Sequence, residues 1–317
     1  MINSNIRKAV IIGCGFVGSA CAFALMQSGL FNELVLIDAN HDRAEGEALD
    51  ISHGLPFSKP MQIYAGTYDD ISDASIVIIT AGTGQKEGET RLDLVHKNVE
   101  IFKSIIGQIS ARSFNGILLI VSNPVDILTY TALKLSGLPS NRVFGSGTVL
   151  DTARLKHLLG EHLGVDARSV HAFILGEHGD SEIAAFSSAN VSGIPLRDFC
   201  SKNCGDICQP EKMDEIADDV KNIAYEIIKK KNATYYGIAM SVKRICEAVV
   251  LDQKSILPVS CIQNGLYGIS DVALSMPAIV GENGVERNIN IPLNDEEQEA
   301  IKHSADTLRS IIKDINF

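Results

Sequence analysis

Gly13-Cys14-Gly15-Phe16-Val17-Gly18 is the stretch of sequence that decides the fold, because its glycines stand between a β-branched run and an uncharged helical pattern. The run at residues 8–12 predicts a strand, and the pattern that continues to about Ser28 predicts a helix. Glycines at this spacing permit a tight turn and the close approach of another molecule to the backbone. The sequence therefore predicts a strand–turn–helix unit whose helix N-terminus binds an anion.

Asp38 indicates that the bound molecule is a dinucleotide. It lies twenty residues after Gly18, at the end of a second predicted strand at 33–37. There a carboxylate accepts hydrogen bonds from the adenosine ribose and repels a 2′-phosphate, so the pattern predicts NAD rather than NADP. Arg43 is either a solvated surface charge or a residue that reaches the ribose or a phosphate, and the sequence favours neither.

Strands and helices alternate through the first half of the chain. After the first two strands, the sequence predicts strands at 62–65, 75–79, 116–121 and 142–144, with an amphipathic segment at 92–112 among the intervening helices. Such alternation is typical of parallel strands joined by crossover helices. The prediction is an α/β protein whose residues 1–145 form a Rossmann-type, doubly wound parallel sheet of about six strands.

Residues 146–317 have a different pattern. Helices are predicted at 149–163, 211–230 and 235–250, strand-like stretches around 170–174 and 183–191, and a last helix from about Asn294. This indicates a mixed α+β catalytic domain that holds the substrate. No Pro/Gly/Ser-rich linker separates the halves, so we expect them to pack closely with the active site between them.

The composition argues against nucleic-acid and membrane partners. The 317 residues carry a net charge of −11, with a pI near 5.2, so no basic surface is available for phosphates or anionic lipid. Residues 9–26 follow Arg7 and Lys8 as a signal peptide would, but the motif glycines interrupt them. We expect a cytoplasmic protein.

The cysteines predict neither a disulfide framework nor a metal centre. Seven cysteines are an odd number in a long chain, which is typical of reduced thiols. Cys200, Cys204 and Cys208 recur every four residues, but structural zinc takes four ligands and usually closer pairs. We expect no metal.

A candidate acid–base group lies in Gly176-Glu177-His178-Gly179-Asp180, where flanking glycines leave the imidazole accessible. Asp151 and Arg154 stand three residues apart on a predicted helix, so they project from one face. They are either an intrahelical ion pair or a functional pair. In the second case the carboxylate orients an imidazolium, and the guanidinium grips a substrate carboxylate bidentately.

Over essentially its whole length the chain resembles the L-lactate dehydrogenases of the lactate/malate dehydrogenase superfamily. The matching motifs occur in the family's order: the glycine motif, Asp38, Gln85-Lys86-Glu87-Gly88-Glu89-Thr90-Arg91, Ser122-Asn123-Pro124, Asp151 with Arg154, residues 176–180, and Ala233-Thr234-Tyr235-Tyr236-Gly237-Ile238. The resemblance implies NAD-dependent interconversion of pyruvate and (S)-lactate. It makes His178 the proton donor to the ketone, Asp151 its partner and Arg154 the carboxylate anchor.

The resemblance also implies the surroundings of the reacting atoms. Arg91 is the cation at the ketone oxygen, in a loop at 82–91 that closes over substrate. Asn123, which is otherwise a turn residue before proline, hydrogen-bonds the substrate and helps to position the nicotinamide. The implied cofactor contacts are Gly13, Gly15, Phe16, Val17, Gly18, Asp38, Arg43, Tyr68, Gly82, Thr83, Val121, Ser122, Asn123, Ser146 and Ile238.

Gln85 distinguishes the predicted substrate from that of malate dehydrogenases, which resemble this loop but carry arginine at the same position. Neutral Gln85 leaves the second carboxylate of oxaloacetate without a partner, whereas pyruvate places only a methyl group there. Thr234 suits a small substrate, or else caps the following helix. Pyruvate is thus the predicted substrate, and a malate or other 2-hydroxy-acid dehydrogenase of the same fold is the competing interpretation.

Two more distant classes of protein share parts of these motifs, and both fit the sequence less well. NAD-dependent glycosidases carry cysteine where Ser122 stands. A non-catalytic NAD module does not need His178 together with Asp151, Arg154 and Arg91.

The resemblance further implies a homotetramer in which fructose 1,6-bisphosphate binds an arginine and a histidine at subunit interfaces. His171 matches the histidine of this effector site, but Lys156 occupies the arginine position. Lysine attracts a phosphate as a point charge and lacks the bidentate fork of arginine. The sequence therefore leaves activation by this effector open.

Overall fold

The computed structural model describes residues 5–84, 88, 90–203 and 210–315, without the side chains of Asn5, Ile6, Arg91 and Pro210. Its helices are α1 (Phe16–Ser28), α2 (His41–Ser52), α3 (Arg91–Ser110), α4 (Val125–Ser136), α5 (Val149–Leu163), α6 (Leu196–Asn203), α7 (Pro210–Lys231), α8 (Tyr236–Val250) and α9 (Asp295–Ile312). Its strands are β1 (Asn5–Ile12), β2 (Glu33–Ile37), β3 (Gln62–Ala65), β4 (Ala74–Ile79), β5 (Ile117–Ile120), β6 (Val143–Gly145), β7 (Val170–His171), β8 (Ile174–Leu175), β9 (Ile183–Ala184), β10 (Asn190–Val191), β11 (Ile194–Pro195), β12 (Ser255–Asn264), β13 (Ser270–Gly281) and β14 (Gly284–Asn288).

The first six strands form the predicted doubly wound sheet. They are parallel and lie in the order β3-β2-β1-β4-β5-β6, so the strand order reverses direction between β1 and β4. Helices cover both faces, and β1 shows why its sequence is apolar throughout. Val10 and Ile12 pack into one core cluster, whereas Ala9 and Ile11 pack into the other. The prediction of a Rossmann-type α/β fold is confirmed.

Three antiparallel strands that the sequence analysis missed extend this sheet. Strands β12, β13 and β14 follow β6 in the sheet, which has nine strands, and Ser260 of β12 pairs with Gly145 of β6. The omission has a physical cause, because proline argues against a strand interior. Here Pro258 and Pro277 stand directly opposite each other on β12 and β13. The sheet thus runs across residue 145, and the domain boundary there stays a prediction.

The second half surrounds a third core cluster built from α5, α6, α7 and the short strands β7 and β10. Two predicted strands are wrong in detail. The stretch at 183–191 is not one strand, because a 3-10 turn at Phe186–Ser188 separates β9 from β10. The stretch at 170–174 divides between β7 and β8, which belong to different small sheets. Of these short strands, β8 leads into Gly176, which forms a bridge to Ser275 of the large sheet.

The cysteines differ in state. Cys14, Cys21, Cys246 and Cys261 are free and buried, which agrees with the prediction of reduced thiols. Cys200 is disulfide-bonded, so the prediction is wrong at that position. Cys204 and Cys208 lie outside the described residues. No helix in the described part of the chain is both long enough and apolar enough to cross a bilayer.

Candidate active site

The glycine turn between β1 and α1 has no room for a side chain at two of its three glycines, Gly13 and Gly18. Gly13 has φ of +102°, and a Cβ there would lie 2.5 Å from the backbone nitrogen of Ala81. A Cβ on Gly18 would lie 1.8 Å from the carbonyl oxygen of Gly13, so the helix packs directly on the turn. Gly15 has nothing within 4 Å and caps α1. The exposed backbone at Gly15 can therefore receive a phosphate group at the helix N-terminus.

Asp38 is fixed at the carboxyl end of β2 beside this turn. Its Oδ2 accepts a hydrogen bond from the backbone N–H of Cys14 at 2.6 Å, and its Oδ1 accepts one from Asn40 at 2.9 Å. A carboxylate keeps further lone pairs after two such bonds. Asp38 can therefore also accept hydrogen bonds from ribose hydroxyl groups.

A cavity of about 770 Å³ lies beside the turn, at the crevice where the strand order reverses. Its volume is in the range of small-molecule sites, and this crevice is where doubly wound sheets bind nucleotides. Six predicted cofactor contacts line it, namely Gly13, Gly15, Asp38, Arg43, Tyr68 and Gly82. Glycine backbone at one side and a carboxylate at the other fit the diphosphate and ribose of NAD.

The remaining predicted cofactor contacts do not line this cavity. Phe16, Val17 and Gly18 form the first turn of α1. Val17 and Ile238 of α8 pack against the same core cluster. Thr83 accompanies Gly82 in the loop after β4. Val121, Ser122 and Ser146 are buried where β5 and β6 end. The Ser122 hydroxyl donates to the Ala81 carbonyl oxygen at 2.6 Å, so this side chain joins two loops of the sheet edge.

Asp151, Arg154 and His178 form one hydrogen-bonded group. One oxygen of Asp151 accepts from the Arg154 guanidinium at 2.7 Å, and its other oxygen lies 2.7 Å from Nδ1 of His178. Asp151 is 2% exposed, whereas the His178 side chain is 27% exposed. The intrahelical ion pair therefore exists, and its carboxylate also contacts the imidazole, whereas the grip of Arg154 on a substrate carboxylate stays a prediction.

The backbone of His178 is held by residues from distant parts of the chain. Its N–H donates to the buried carboxylate of Asp126, in the first turn of α4, at 2.7 Å. The preceding Glu177 N–H donates to Ser304 of α9 at 2.8 Å. Gly176 forms a β-bridge with Ser275 of β13. These bonds fix the imidazole from both halves of the chain.

The electrostatics of the group keep His178 protonated to a higher pH than an isolated histidine. Burial disfavours the charged ring, but the charge and hydrogen bond of Asp151 outweigh it and raise the pKa of His178. Burial likewise opposes ionisation of Asp151, but His178 and Arg154 hold the pKa of this carboxyl below its ordinary value. The pair is thus an imidazolium beside a carboxylate.

A second cavity, of about 320 Å³, opens onto this group. It lies between the sheet edge and α7, and its lining is Leu94, Val95, Asn123, Pro124, Asp151, Arg154, His178, Gly179, Asp180, Glu182, Val220, Lys221, Ala224 and Tyr225. Asn123 is at the expected place, next to a cis peptide bond to Pro124. A small anion in this cavity would meet a guanidinium and an imidazolium.

Three buried polar residues of this region were missed by the sequence analysis. Asn98 of α3 is 0% exposed and donates to the carbonyl oxygens of Thr83 and Asn123, which joins the two loops. Asp126 holds the His178 backbone, and Glu182 lies in the cavity wall. The available signal was a polar residue on the apolar face of a predicted helix, as for Asn98 and Asp126.

The structure describes less of the remaining predicted substrate residues, or places them away from the two cavities. Gln85 lies outside the described residues, as does the side chain of Arg91, although the α3 backbone that carries Arg91 is held by the capping box of Thr90 and Asp93. Thr234 lies between α7 and α8 and does not line either cavity. It is not the helix cap, because Tyr235 occupies that position.

The two predicted effector residues lie on elements that share one core cluster. Lys156 is on α5, next to the buried Leu155, and His171 is on β7, next to the buried Val170. His171 is exposed and Lys156 is half-buried, and burial lowers the pKa of Lys156.

Comparison with known proteins identifies relatives over the full length of the chain. Residues 7–145 match the lactate/malate dehydrogenase NAD binding domain family, and residues 148–316 match the corresponding alpha/beta C-terminal domain family. An L-lactate dehydrogenase of Acetivibrio thermocellus is 54% identical, with 99% of both chains covered. L-lactate dehydrogenase 1 of Clostridium acetobutylicum is 52% identical, over 97% of this chain and 98% of the relative.

Comparison with solved structures also identifies lactate dehydrogenases as similar proteins. The ligand-bound crystal structure of a minor L-lactate dehydrogenase from Enterococcus mundtii has a TM-score of 0.95 at 45% identity, covering 98% of this chain and 99% of that one. A lactate dehydrogenase from a Medee basin deep-sea metagenome library also has a TM-score of 0.95, at 46% identity and 99% coverage of both chains.

The hydrogen bond between His178 and Asp151 predicts how the imidazole titrates. We expect Asp151→Asn to lower the pKa of His178 by about 2 units, because a neutral amide removes the charge that stabilises the imidazolium while burial of the ring persists. Histidine proton resonances followed through a pH titration measure this change. Asp166→Asn, which removes an exposed carboxylate paired with Arg168, is the control and leaves the titration unchanged. An unshifted His178 in the Asp151 variant would contradict the assignment.

Proposed function

Because the chain belongs to the lactate/malate dehydrogenase family, we propose that it is an NAD-dependent L-lactate dehydrogenase that interconverts pyruvate and (S)-lactate. The observation that carries this function is the group of Asp151, Arg154 and His178, which offers a proton donor and a carboxylate anchor in one small cavity. We place the enzyme in the cytoplasm because four of its described cysteines are free thiols, and the disulfide-bonded Cys200 is an exception to this argument.

His178 is the proton donor in pyruvate reduction. Its Nδ1 is bound to Asp151, so Nε2 is the ring nitrogen that serves the substrate. Bound NADH supplies the hydride to the ketone carbon. As negative charge develops on the ketone oxygen, the imidazolium stabilises it and transfers its proton, and Asp151 stabilises the charged ring until that transfer. In lactate oxidation the neutral ring accepts the hydroxyl proton from the same side.

Arg154 holds the substrate carboxylate. A guanidinium has five N–H donors in a planar fork, of which one binds Asp151. The geometry of the fork suits bidentate binding of a second carboxylate. Because Arg154 and His178 share Asp151, the anchor and the proton donor keep a constant separation, which orients the ketone oxygen toward the ring.

Residues from the first half bind the cofactor and complete the cavity. The turn at Gly13 and Gly15 receives the diphosphate, and Asp38 binds the ribose. Asn123 is positioned by Asn98 so that it can contact both substrate and nicotinamide. We assign Arg91, the first residue of α3, to the developing charge on the ketone oxygen, with the loop at 82–91 excluding water when it closes.

Steady-state assays test this function directly. We expect NADH oxidation with pyruvate, at a higher kcat/KM than with oxaloacetate or longer 2-oxo acids. We expect His178→Asn to lower kcat about 10²–10⁴-fold, because it removes the proton donor, while NADH affinity stays within about twofold. His157→Asn changes an exposed histidine of α5 and serves as the control. The absence of turnover with every 2-oxo acid would overturn the function.

Gln85 sets the preference for pyruvate in this proposal, on the strength of the family's loop pattern. We expect Gln85→Arg to shift the ratio of kcat/KM toward oxaloacetate by about a hundredfold or more, because the new cation pairs with the second carboxylate in a closed site. Gln85→Leu introduces no charge and is the matched control. A ratio that barely changes in the arginine variant would show that another residue discriminates the two acids.

We further propose a homotetramer that fructose 1,6-bisphosphate activates through Lys156 and His171. Lys156 attracts a phosphate as a point charge only, so we expect a modest decrease in the KM for pyruvate when the effector is added. Lys156→Arg restores the bidentate fork and should strengthen the response, whereas Lys156→Ala should abolish it. Sedimentation in parallel measures the assembly state. Identical kinetics in all three proteins with and without effector would reject the site.

A further inference from the structure

Glu182 is a buried carboxyl group in the wall of the substrate cavity that the proposed reaction does not use. It is 3% exposed, and its backbone N–H donates to Gly179 in the loop that carries His178. Its Oε1 is fully buried and has no hydrogen-bond partner within the described ranges. A buried, ionised carboxylate is strongly disfavoured when an oxygen lacks a partner, so this geometry points to a neutral acid.

The neighbours of Glu182 include both members of the catalytic pair. One of its oxygens, one of Asp151 and a ring nitrogen of His178 lie within 4.8 Å of one another. The other charges that face it are Arg154 on α5 and Lys221 on α7. Around this group, Asp180 of the same loop lines the cavity, and Asp126 of α4 lies behind the His178 backbone.

Asp151 and Glu182 are thus two carboxyl groups at one buried site, and their partners differ. Asp151 has a cationic donor at 2.7 Å on each oxygen, whereas Oε1 of Glu182 has none in the described part of the chain. Two adjacent buried carboxyls ionise in separate steps, and the one that is paired with cations ionises first. Burial and the charge of Asp151 accordingly raise the pKa of Glu182 well above its ordinary value.

We propose that Glu182 is a positioning residue for the proton donor: it enters the reaction as a neutral carboxylic acid, and its ionisation at alkaline pH holds the proton on His178. The kinetic part of this proposal rests on the function proposed for His178. While Glu182 is neutral, the positive charge of the cavity is available to an anionic substrate. Once ionised, its charge attracts the imidazolium, so that His178 stays protonated to a higher pH.

Infrared spectroscopy tests the protonation state without any turnover. At neutral pH we expect the wild-type protein to show a carboxylic-acid C=O band that disappears in Glu182→Gln. Glu161→Gln is the matched control, because it removes an exposed carboxylate from α5, and we expect it to retain the band. In the wild-type protein the band should be lost as the pH rises from neutral to alkaline values. Absence of the band from wild-type protein at neutral pH would overturn the proposal.

Kinetics test the effect on His178. The amide in Glu182→Gln mimics the neutral acid, so the KM for pyruvate at neutral pH should stay within about twofold of the wild-type value. It cannot ionise, so the alkaline decline of kcat/KM for pyruvate reduction should begin about one pH unit lower, a roughly tenfold loss at a fixed alkaline pH. Glu182→Asp, which can ionise, should recover part of this shift, and Glu161→Gln should show none.

The outcomes separate this proposal from the function on which it rests. An unshifted alkaline decline in Glu182→Gln would overturn the proposal while the dehydrogenase function stands. If the wild-type protein reduces no 2-oxo acid, the function fails, and the infrared band still decides whether Glu182 holds a proton. If the glutamine variant does not fold, the loss of the wild-type band with rising pH decides the question.

Discussion

The hydrogen bond between Asp151 and Nδ1 of His178 is the interaction on which the rest of the site depends. It is 2.7 Å long and it orients the ring, keeps the imidazole protonated and leaves Nε2 for the substrate. The same carboxylate holds Arg154, so that the proposed proton donor and the proposed anchor share one support. A buried carboxylate is stable only with cationic or hydrogen-bonding partners, because an unpaired charge is costly to bury. The catalytic geometry and the local stability therefore have one cause.

The fold delivers this group to the cofactor through bonds between the two halves of the chain. Asp126 begins a helix next to the end of β5, yet its carboxylate holds the His178 backbone and accepts from Ser260 of β12. Asn98 likewise connects the loop after β4 to the turn at Asn123. The nine-stranded sheet adds a continuous backbone connection through Ser260 and Gly145. The proposed substrate and cofactor sites are thus connected by hydrogen bonds and by one sheet.

The sequence predicts features that depend on residues close together in the chain, and it misses features that depend on residues far apart. The strand–turn–helix at Gly13 and the pair of Asp151 and Arg154 rest on local spacing, and the structure places both as expected. Strands β12 and β13 escaped prediction because their opposed prolines resemble turn residues until the pairing is known. Asp126 and Ser260 are 134 positions apart, so no local pattern could connect them. Glu182 was overlooked because a glutamate beside a polar loop is expected to be solvated, whereas in the fold it is only 3% exposed.

Burial and local partners give carboxyl groups of the same chemical kind different pKa values in this site. Asp126, Asp151 and Glu182 are all carboxyls within one region, and all are at most 3% exposed. Asp151 is ionised because two cations face it, whereas burial raises the pKa of Asp126 and of Glu182. Neighbouring buried carboxyls oppose one another's ionisation, and the charge of Asp151 accordingly helps to raise the pKa of Glu182. The differences in hydrogen-bond partners decide which carboxyl ionises most readily, and that carboxyl is Asp151, beside the imidazole.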